Sequence, residues 1–244
     1  MCDANGKTLV DRSDSCGRSV GYRRASYAEG FSQRPIGCGW AVGVHSGERI
    51  VGNDVDGNGK ICETVFRAGR VHVVKAQPAG RFSHVKARYY LEHPGAVAIL
   101  PIASHDPLRV VLIENYRHTV DGRLLEIPAG TLEPNEDPTE AARRELTEET
   151  GYLAGSLVHL FTFMPSPGLL SERMHLYLAT DLTPGKQRTE ADEDIRVVEL
   201  DWTSLWERLR KAADAGAVDG KTLLALLYAR SVWFSDLPIA GFTA

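Results

Sequence analysis

Cysteine is scarce in this chain and poorly placed for cross-linking. Its four cysteines stand at positions 2, 16, 38 and 62, with no CxxC pair and no histidines at zinc-finger spacing between them. A zinc knot is excluded, the long stretch after Cys62 must fold without disulfides, and free thiols in a reducing compartment are expected. Long apolar runs are missing too. Stretches such as 96–102 fall far short of the roughly 18 to 20 residues that a membrane-spanning helix needs, so no membrane partner is expected. Nor is there a surplus of positive charge: 28 Lys and Arg stand against 32 Asp and Glu, a net charge of -4. The attraction that draws a basic protein to nucleic acid is lacking, and no such partner is expected. The opening MCDANGKTLVDRSD has neither the basic start nor the apolar stretch of a secretory leader, which makes a cytoplasmic location the expectation. Repeats and low-complexity tracts are absent as well. What is present is 244 residues, 43% hydrophobic and 25% charged, a length and balance that can bury a core.

Residues 1–62 are rich in Gly, Ser, Asp and Arg without a sustained period of 2 or 3.6, so they read as a weakly ordered extension. Within them DVDGNG (54–59) imitates the start of a calcium-binding loop, with Asp54, Asp56 and Asn58 at ligand positions and Gly59 at the bend. The carboxylate that should close such a loop is replaced by Val65, which favours a plain Gly/Asn/Asp turn. A folded domain is expected over 63–236 and a tail over 237–244.

Inside that domain β-type runs come first, at 71–77, 82–92, 97–102, 109–117 and 124–127. A helix is predicted over 138–150, with Asp137 as N-cap, Pro138 at its first position, Glu140 at its third and Gly151 as its stop. Further strands at 157–163, 173–180 and 195–200 precede helices at 203–213 and 221–234. The order of elements gives an α+β fold, a mixed α/β sandwich.

The densest acid cluster is Glu145, Glu148 and Glu149, which helical spacing places within an arc of about 100°. Three like charges on one surface repel, and a divalent cation among their oxygens relieves that repulsion. Ala142 and Leu146 lie beside this arc and can anchor the helix on a sheet, while Glu140, four residues before Arg144, can hold that guanidinium in place. Taken alone, the cluster also reads as a solvated, Arg-rich helix face.

Its surroundings are more specific. Gly130, Glu136, Arg144, Glu145, Leu146, Glu148, Glu149 and Gly151 fit G-x5-E-x7-R-E-U-x-E-E-x-G-U, with U a bulky aliphatic residue; only the last U departs, as Tyr152. This stretch, 130–152, resembles the Nudix box of pyrophosphohydrolases that act on nucleoside-diphosphate-linked compounds. EHPGAVAILPI (92–102), VVLIENYR (110–117), LLEIPAG (124–130), SPGLLSERMHLYLA (166–179) and EDIRV (193–197) are similar to segments of ADP-ribose pyrophosphatases, as is the placement of Pro167, fifteen residues after the box.

The resemblance implies a Nudix fold, a mixed sheet between helices, whose N-terminal β-strands take part in a homodimer with composite sites. It implies Mg2+ or Mn2+ held by Glu145, Glu148, Glu149 and the carbonyl of Ala129, with Gly130 keeping that backbone approachable. Arg144 and Glu148 join the catalytic set, and the base that takes the water's proton is Glu193, or else Glu190, from a loop after the box. On composition alone 190–194 also reads as an acidic surface loop. Arg117 and Arg88 match positions that face substrate, where guanidinium forks suit a pyrophosphate, though either can instead pair with Glu126 or Glu92. Glu126 is expected to anchor the sheet and the Gly130 loop, Glu172 to shape the pocket, and Phe66 or Tyr89 to stack on a base. The activity implied is hydrolysis of ADP-ribose to AMP and ribose 5-phosphate. The alternatives are GDP-mannose or another nucleotide sugar as substrate, and, less favoured by the complete acid set, a non-catalytic ADP-ribose-binding regulator.

Overall fold

The computed structural model describes residues 53–55, 60–69, 71–189, 193–237 and 239. Chain order gives β1 (Asn53–Val55), β2 (Ile61–Ala68), β3 (Val71–Gln77), a 3-10 turn (Gly80–Phe82), β4 (Arg88–Glu92), β5 (Ala96–His105), β6 (Leu108–Arg117), β7 (Gly122–Glu126), β8 (Ala129–Thr131) and α1 (Pro138–Thr150). Then come β9 (Tyr152–Phe163), β10 (Met174–Pro184), β11 (Ile195–Asp201), α2 (Trp202–Asp214) and α3 (Gly220–Val232). This is the expected α+β sandwich. Among the described residues no helix is long and apolar enough to cross a membrane.

Four strands, β1 to β4, form an antiparallel sheet in chain order. Strands β1 and the start of β2 fall ahead of residue 63, where the sequence places the start of the domain. Residues 82–85 are not extended, contrary to the expected strand over 82–92. Gly80 takes φ +58°, Ser83 N donates to Gly80 O and Val85 N to Phe82 O, and the Gln77 amide donates to the carbonyls of Ser83 and Val85. A turn closed by that many local bonds outcompetes the strand preference of Phe82 and Val85.

The larger sheet runs β11-β6-β5-β10-β9, with β10 parallel to β5. Its central pair, β5 and β6, is hydrogen-bonded only from Ile102 to His105 on β5 and from Leu108 to Val110 on β6. Beyond that the two strands take different neighbours. The start of β5 pairs with β8 through Ala96, Val97 and Ala98, while the end of β6 pairs with β7 from Ile113 to Arg117. Residues 127 and 128 carry the chain from β7 to β8, and Ile99 N donates to Pro128 O at 2.9 Å. The parting of β5 from β6 leaves the place where the functional side chains gather.

Alternation along β5 shows why the sheet is covered on both faces. Ala96, Ala98, Leu100 and Ile102 pack with Leu205, Trp206, Leu226 and Ala229 of α2 and α3, whereas Val97 and Ile99 pack with Ala141, Ala142 and Leu146 of α1. Leu146 is fully buried, as its expected anchoring role requires, and its truncation to Ala would cost on the order of 2–5 kcal/mol.

Candidate active site

Helix α1 begins and ends where local chemistry dictates. The Asp137 carboxylate accepts from Thr139 N at 2.8 Å and Glu140 N at 3.4 Å, Pro138 opens the first turn, and Gly151 closes the helix at φ +77°. Packing of Ala141, Ala142 and Leu146 on the sheet turns the acidic arc toward the parted strands. The arc is not a solvated face, since Glu145 is buried and Glu149 is only 3% exposed.

Two contacts tie this arc to the backbone of β8. Ala129 N donates to Glu149 Oε2 at 2.8 Å. Gly130 lies so close to Glu145 that a Cβ on it would fall 1.9 Å from the carboxyl carbon. Glycine is required there for approach, not for turning. Arg144 sits among the acids: its Nε and Nη2 form a fork on Glu136 at 2.8 and 2.9 Å, and its Nη1 reaches Glu145 at 2.8 Å and Glu148 at 3.0 Å. The expected partner, Glu140, is exposed on the first turn. Glu136 displaces it because the loop before α1 presents both carboxylate oxygens to the planar fork, which a side chain four residues away on the same helix does less well.

The charges are strained as they stand. Burial pushes the Glu149 carboxyl up to about 8, with Glu145 and Glu193 adding to the rise and the Ala129 N–H and Lys221 opposing it. Burial also raises Glu145, against the pull of Arg144 and with the push of Glu148 and Glu193. The Arg144 fork does the reverse for Glu136, holding it below the usual carboxylate range, and Glu136 in turn raises Arg144.

A cleft of about 220 Å³ opens over these groups, lined among others by Ala129, Glu145, Glu148, Glu149, Arg117 and Glu193. The structure thus brings together Ala129, whose carbonyl is the expected ligand, the three box acids, Arg144, one expected substrate arginine and the first-choice base. Glu190 lies outside the described residues. Arg117 forks onto Glu126 at 2.8 and 2.7 Å, the pairing left open on sequence, and borders both this cleft and a second one of about 640 Å³ that holds Glu172, Phe163 and Lys221. Glu172 lies 3.9 Å from His93 Nδ1. Arg88 is in neither cleft; it lines a separate recess with Tyr89 and Pro167.

Glu126 is 1% exposed, and burial alone would raise its pKa. Arg117 and Lys221 outweigh that and hold it below the usual range. Lys221 also pairs with Asp219 at 3.1 Å, and Ile127 N donates to Thr222 Oγ1 at 2.8 Å, so the start of α3 fastens the segment leading into β8. Glu126 is the anchor expected. Lys221, Thr222, Asn115 and Arg188 were not foreseen. Asn115 alone left a signal, a polar residue continuing the apolar alternation of Val111 and Ile113, and it is buried at the cleft wall.

As they stand, no three His, Cys, Asp or Glu side chains among the described residues are placed to hold an ion. The Arg144 guanidinium takes an oxygen each from Glu145 and Glu148. The donor set nevertheless fits a hard divalent cation: carboxylates only, two of them pushed toward protonation by burial and by neighbouring acids, beside a backbone stripped of its side chain at Gly130.

The NUDIX domain model matches residues 92–226, more than half of the chain. The chain belongs to the Nudix family. It is 39% identical over 141 residues to a methanol dehydrogenase activator of Bacillus methanolicus, covering 58% of this chain and 75% of that protein. With the same coverage it is 37% identical to an ADP-ribose pyrophosphatase of Bacillus subtilis. Over 130 residues it is 39% identical to a GDP-mannose pyrophosphatase of Yersinia enterocolitica, covering 50% of this chain and 66% of that one. A crystal structure of an ADP compounds hydrolase superposes with a TM-score of 0.57 at 27% identity, over 73% of this chain and 94% of that one. The mixed sheet between helices is the Nudix fold.

Proposed function

We propose that this Nudix pyrophosphohydrolase cleaves ADP-ribose to AMP and ribose 5-phosphate with Mg2+ or Mn2+. The observation that carries the reading is the stacking of Glu145 and Glu149, buried and raised, against the backbone of Ala129 and Gly130 at the parting of β5 and β6. Glu145, Glu148, Glu149 and the Ala129 carbonyl are the groups that would hold the cation. Once bound, it supplies positive charge to the diphosphate and acidifies a water. Arg144 keeps the acids aligned in its absence. Arg117, already oriented by Glu126, presents the unpaired side of its guanidinium to a phosphate oxygen. Glu193, at the cleft wall, takes the proton of the attacking water as its oxygen bonds to phosphorus and the bridging P–O bond breaks.

ADP-ribose is supported by the relative of that name in Bacillus subtilis and by the ADP compounds hydrolase. The similarity to a GDP-mannose pyrophosphatase favours a second reading in which the chemistry is kept and the nucleotide sugar changes. The β1 to β4 sheet leaves Phe66 and Tyr89 45% and 58% exposed, which suits a homodimer in which one protomer's aromatics and Arg88 complete its partner's site. The test is a panel of ADP-ribose, GDP-mannose and other nucleotide sugars with Mg2+ or Mn2+, products identified by phosphorus NMR. The expected result is the highest kcat/KM on ADP-ribose. A preference for GDP-mannose selects the second reading, and tight binding of ADP-ribose without turnover selects the regulator.

A further inference from the structure

The residue that takes the water's proton must be held still, and Glu193 stands on a connection rather than on a helix or strand. Two sets of contacts fasten that connection to the walls of the cleft. Upstream, residues 185–188 cross the end of α1: Gly185 N donates to Gly151 O at 2.6 Å, Arg188 N to Glu148 O at 2.9 Å, and the Gln187 amide to Glu149 O at 2.8 Å. These are the carbonyls that the last turn of a helix leaves unpaired. Downstream, where β11 begins with Ile195 opposite Asn115 of β6, a side chain adds to the fastening. Arg123, on β7 opposite Tyr116 of β6, reaches across β6 to the residue beside Glu193. Its Nη1 donates to Asp194 O at 2.8 Å and to Glu114 O at 3.3 Å, and its Nη2 pairs with the Asp194 carboxylate.

We propose that Arg123 is a positioning residue for the hydrolysis, fixing the peptide at Asp194 so that Glu193 faces the cleft. This rests on the reading of Glu193 as the base. A planar guanidinium suits the task because one N–H takes the main-chain oxygen while another takes the side chain, which fixes both position and rotation. An ammonium at the same place is a point charge and fixes neither. Coulomb attraction is the lesser part, because the Asp194 side chain is 64% exposed and a pair so open to water is well screened. Asp194→Asn, which keeps an oxygen acceptor without charge, is therefore expected to stay within about threefold of the parent. Arg123→Ala removes both bonds, and Arg123→Lys restores only part of the effect.

A double-mutant cycle with Glu193→Gln decides the matter. Arg123→Ala is expected to lower kcat about tenfold or more, a part of the 10² to 10⁴ that a general base contributes, with KM and the metal concentration for half-maximal rate unchanged. In the Glu193→Gln background it is expected to cost less than about twofold, because a residue that acts through another has nothing left to act on. Losses that multiply in the double mutant, or Arg123→Ala at the parent rate while Glu193→Gln is severely impaired, overturn the proposal and leave the base assignment standing. A Glu193→Gln enzyme at the parent rate removes the base assignment and the proposal with it. Should Arg123→Ala not fold, Asp194→Ala carries the same cycle, with a smaller loss expected because only the carboxylate bond goes.

Discussion

At Glu149 one carboxylate serves the fold and opposes it. Its Oε2 satisfies the backbone N–H of Ala129, yet its charge lies buried beside Glu145 and within the field of Glu193. Replacing it with glutamine keeps an oxygen for Ala129 and removes the charge. Glu149→Gln is therefore expected to lower kcat by about 10² or more, measured at saturating Mg2+, while raising the Tm of the metal-free protein at pH 8. A parent-like rate would take Glu149 out of the proposed cation site. Gly130 tests the opposite side of the same contact. Gly130→Ala places a methyl where the Glu145 carboxyl stands, and that buried side chain must move. An insertion of this kind costs about 1–3 kcal/mol. Loss of Tm is expected together with at least a tenfold loss of kcat/KM, and neither should follow from Gly168→Ala, where a Cβ meets nothing within 4 Å.

Elements differ in how far their residues announced them. Helix α1 was legible to the residue because its limits are set by neighbours: Asp137 caps the next two amides, Pro138 fits the first turn, and Gly151 takes the left-handed conformation. The acids were legible for the same reason, since a helix of known register fixes which side chains share a face. Strand β2 was not, because ICETVFRA lacks clean alternation and owes its shape to β3 beside it. Of the partners of Glu126, Arg117 was open to the sequence as an alternative, whereas Lys221 was hidden by distance along the chain, 95 residues away. Gly151 carries a second constraint that helix grammar does not show: a Cβ there would fall 2.8 Å from Gln187 N, in the segment that leads to Glu193. Gly151→Ala is expected to lower both Tm and kcat. Asp137→Ala, which frays the other end of the same helix, is expected to lower Tm and leave kcat within about twofold. Equal kcat losses in the two variants would show that helix stability alone governs turnover.

Across the whole molecule the buried carboxylates pull stability in opposite directions with pH. Glu126, between Arg117 and Lys221, has its folded pKa below the unfolded one, so the unfolded chain binds the proton more readily as the solution is acidified. Its stabilisation is complete above the ordinary carboxylate range and is lost as pH falls through its lowered folded value; Glu136, under the Arg144 fork, adds to that loss. Glu149 is the reverse case. With a folded value of about 8 against 4.5 for the free side chain, the native state holds a proton that the unfolded chain has given up. Between those limits stability falls as pH rises, by at most about 1.4 kcal/mol per unit for one proton. Metal-free protein is therefore expected to be most stable near the ordinary carboxylate range, at about pH 5, and to lose Tm toward pH 8. Mg2+ binds the ionised carboxylates and not the protonated ones, so it should lift the pH 8 end far more than the pH 5 end. Glu149→Gln should flatten the alkaline decline without metal and remove most of the Mg2+ effect. Thermal melts at pH 5, 6.5 and 8, in EDTA and in excess Mg2+, measure all of this. A decline toward pH 8 that persists undiminished in Glu149→Gln would assign the buried proton to another group, with Glu145, also raised by burial, the next to replace.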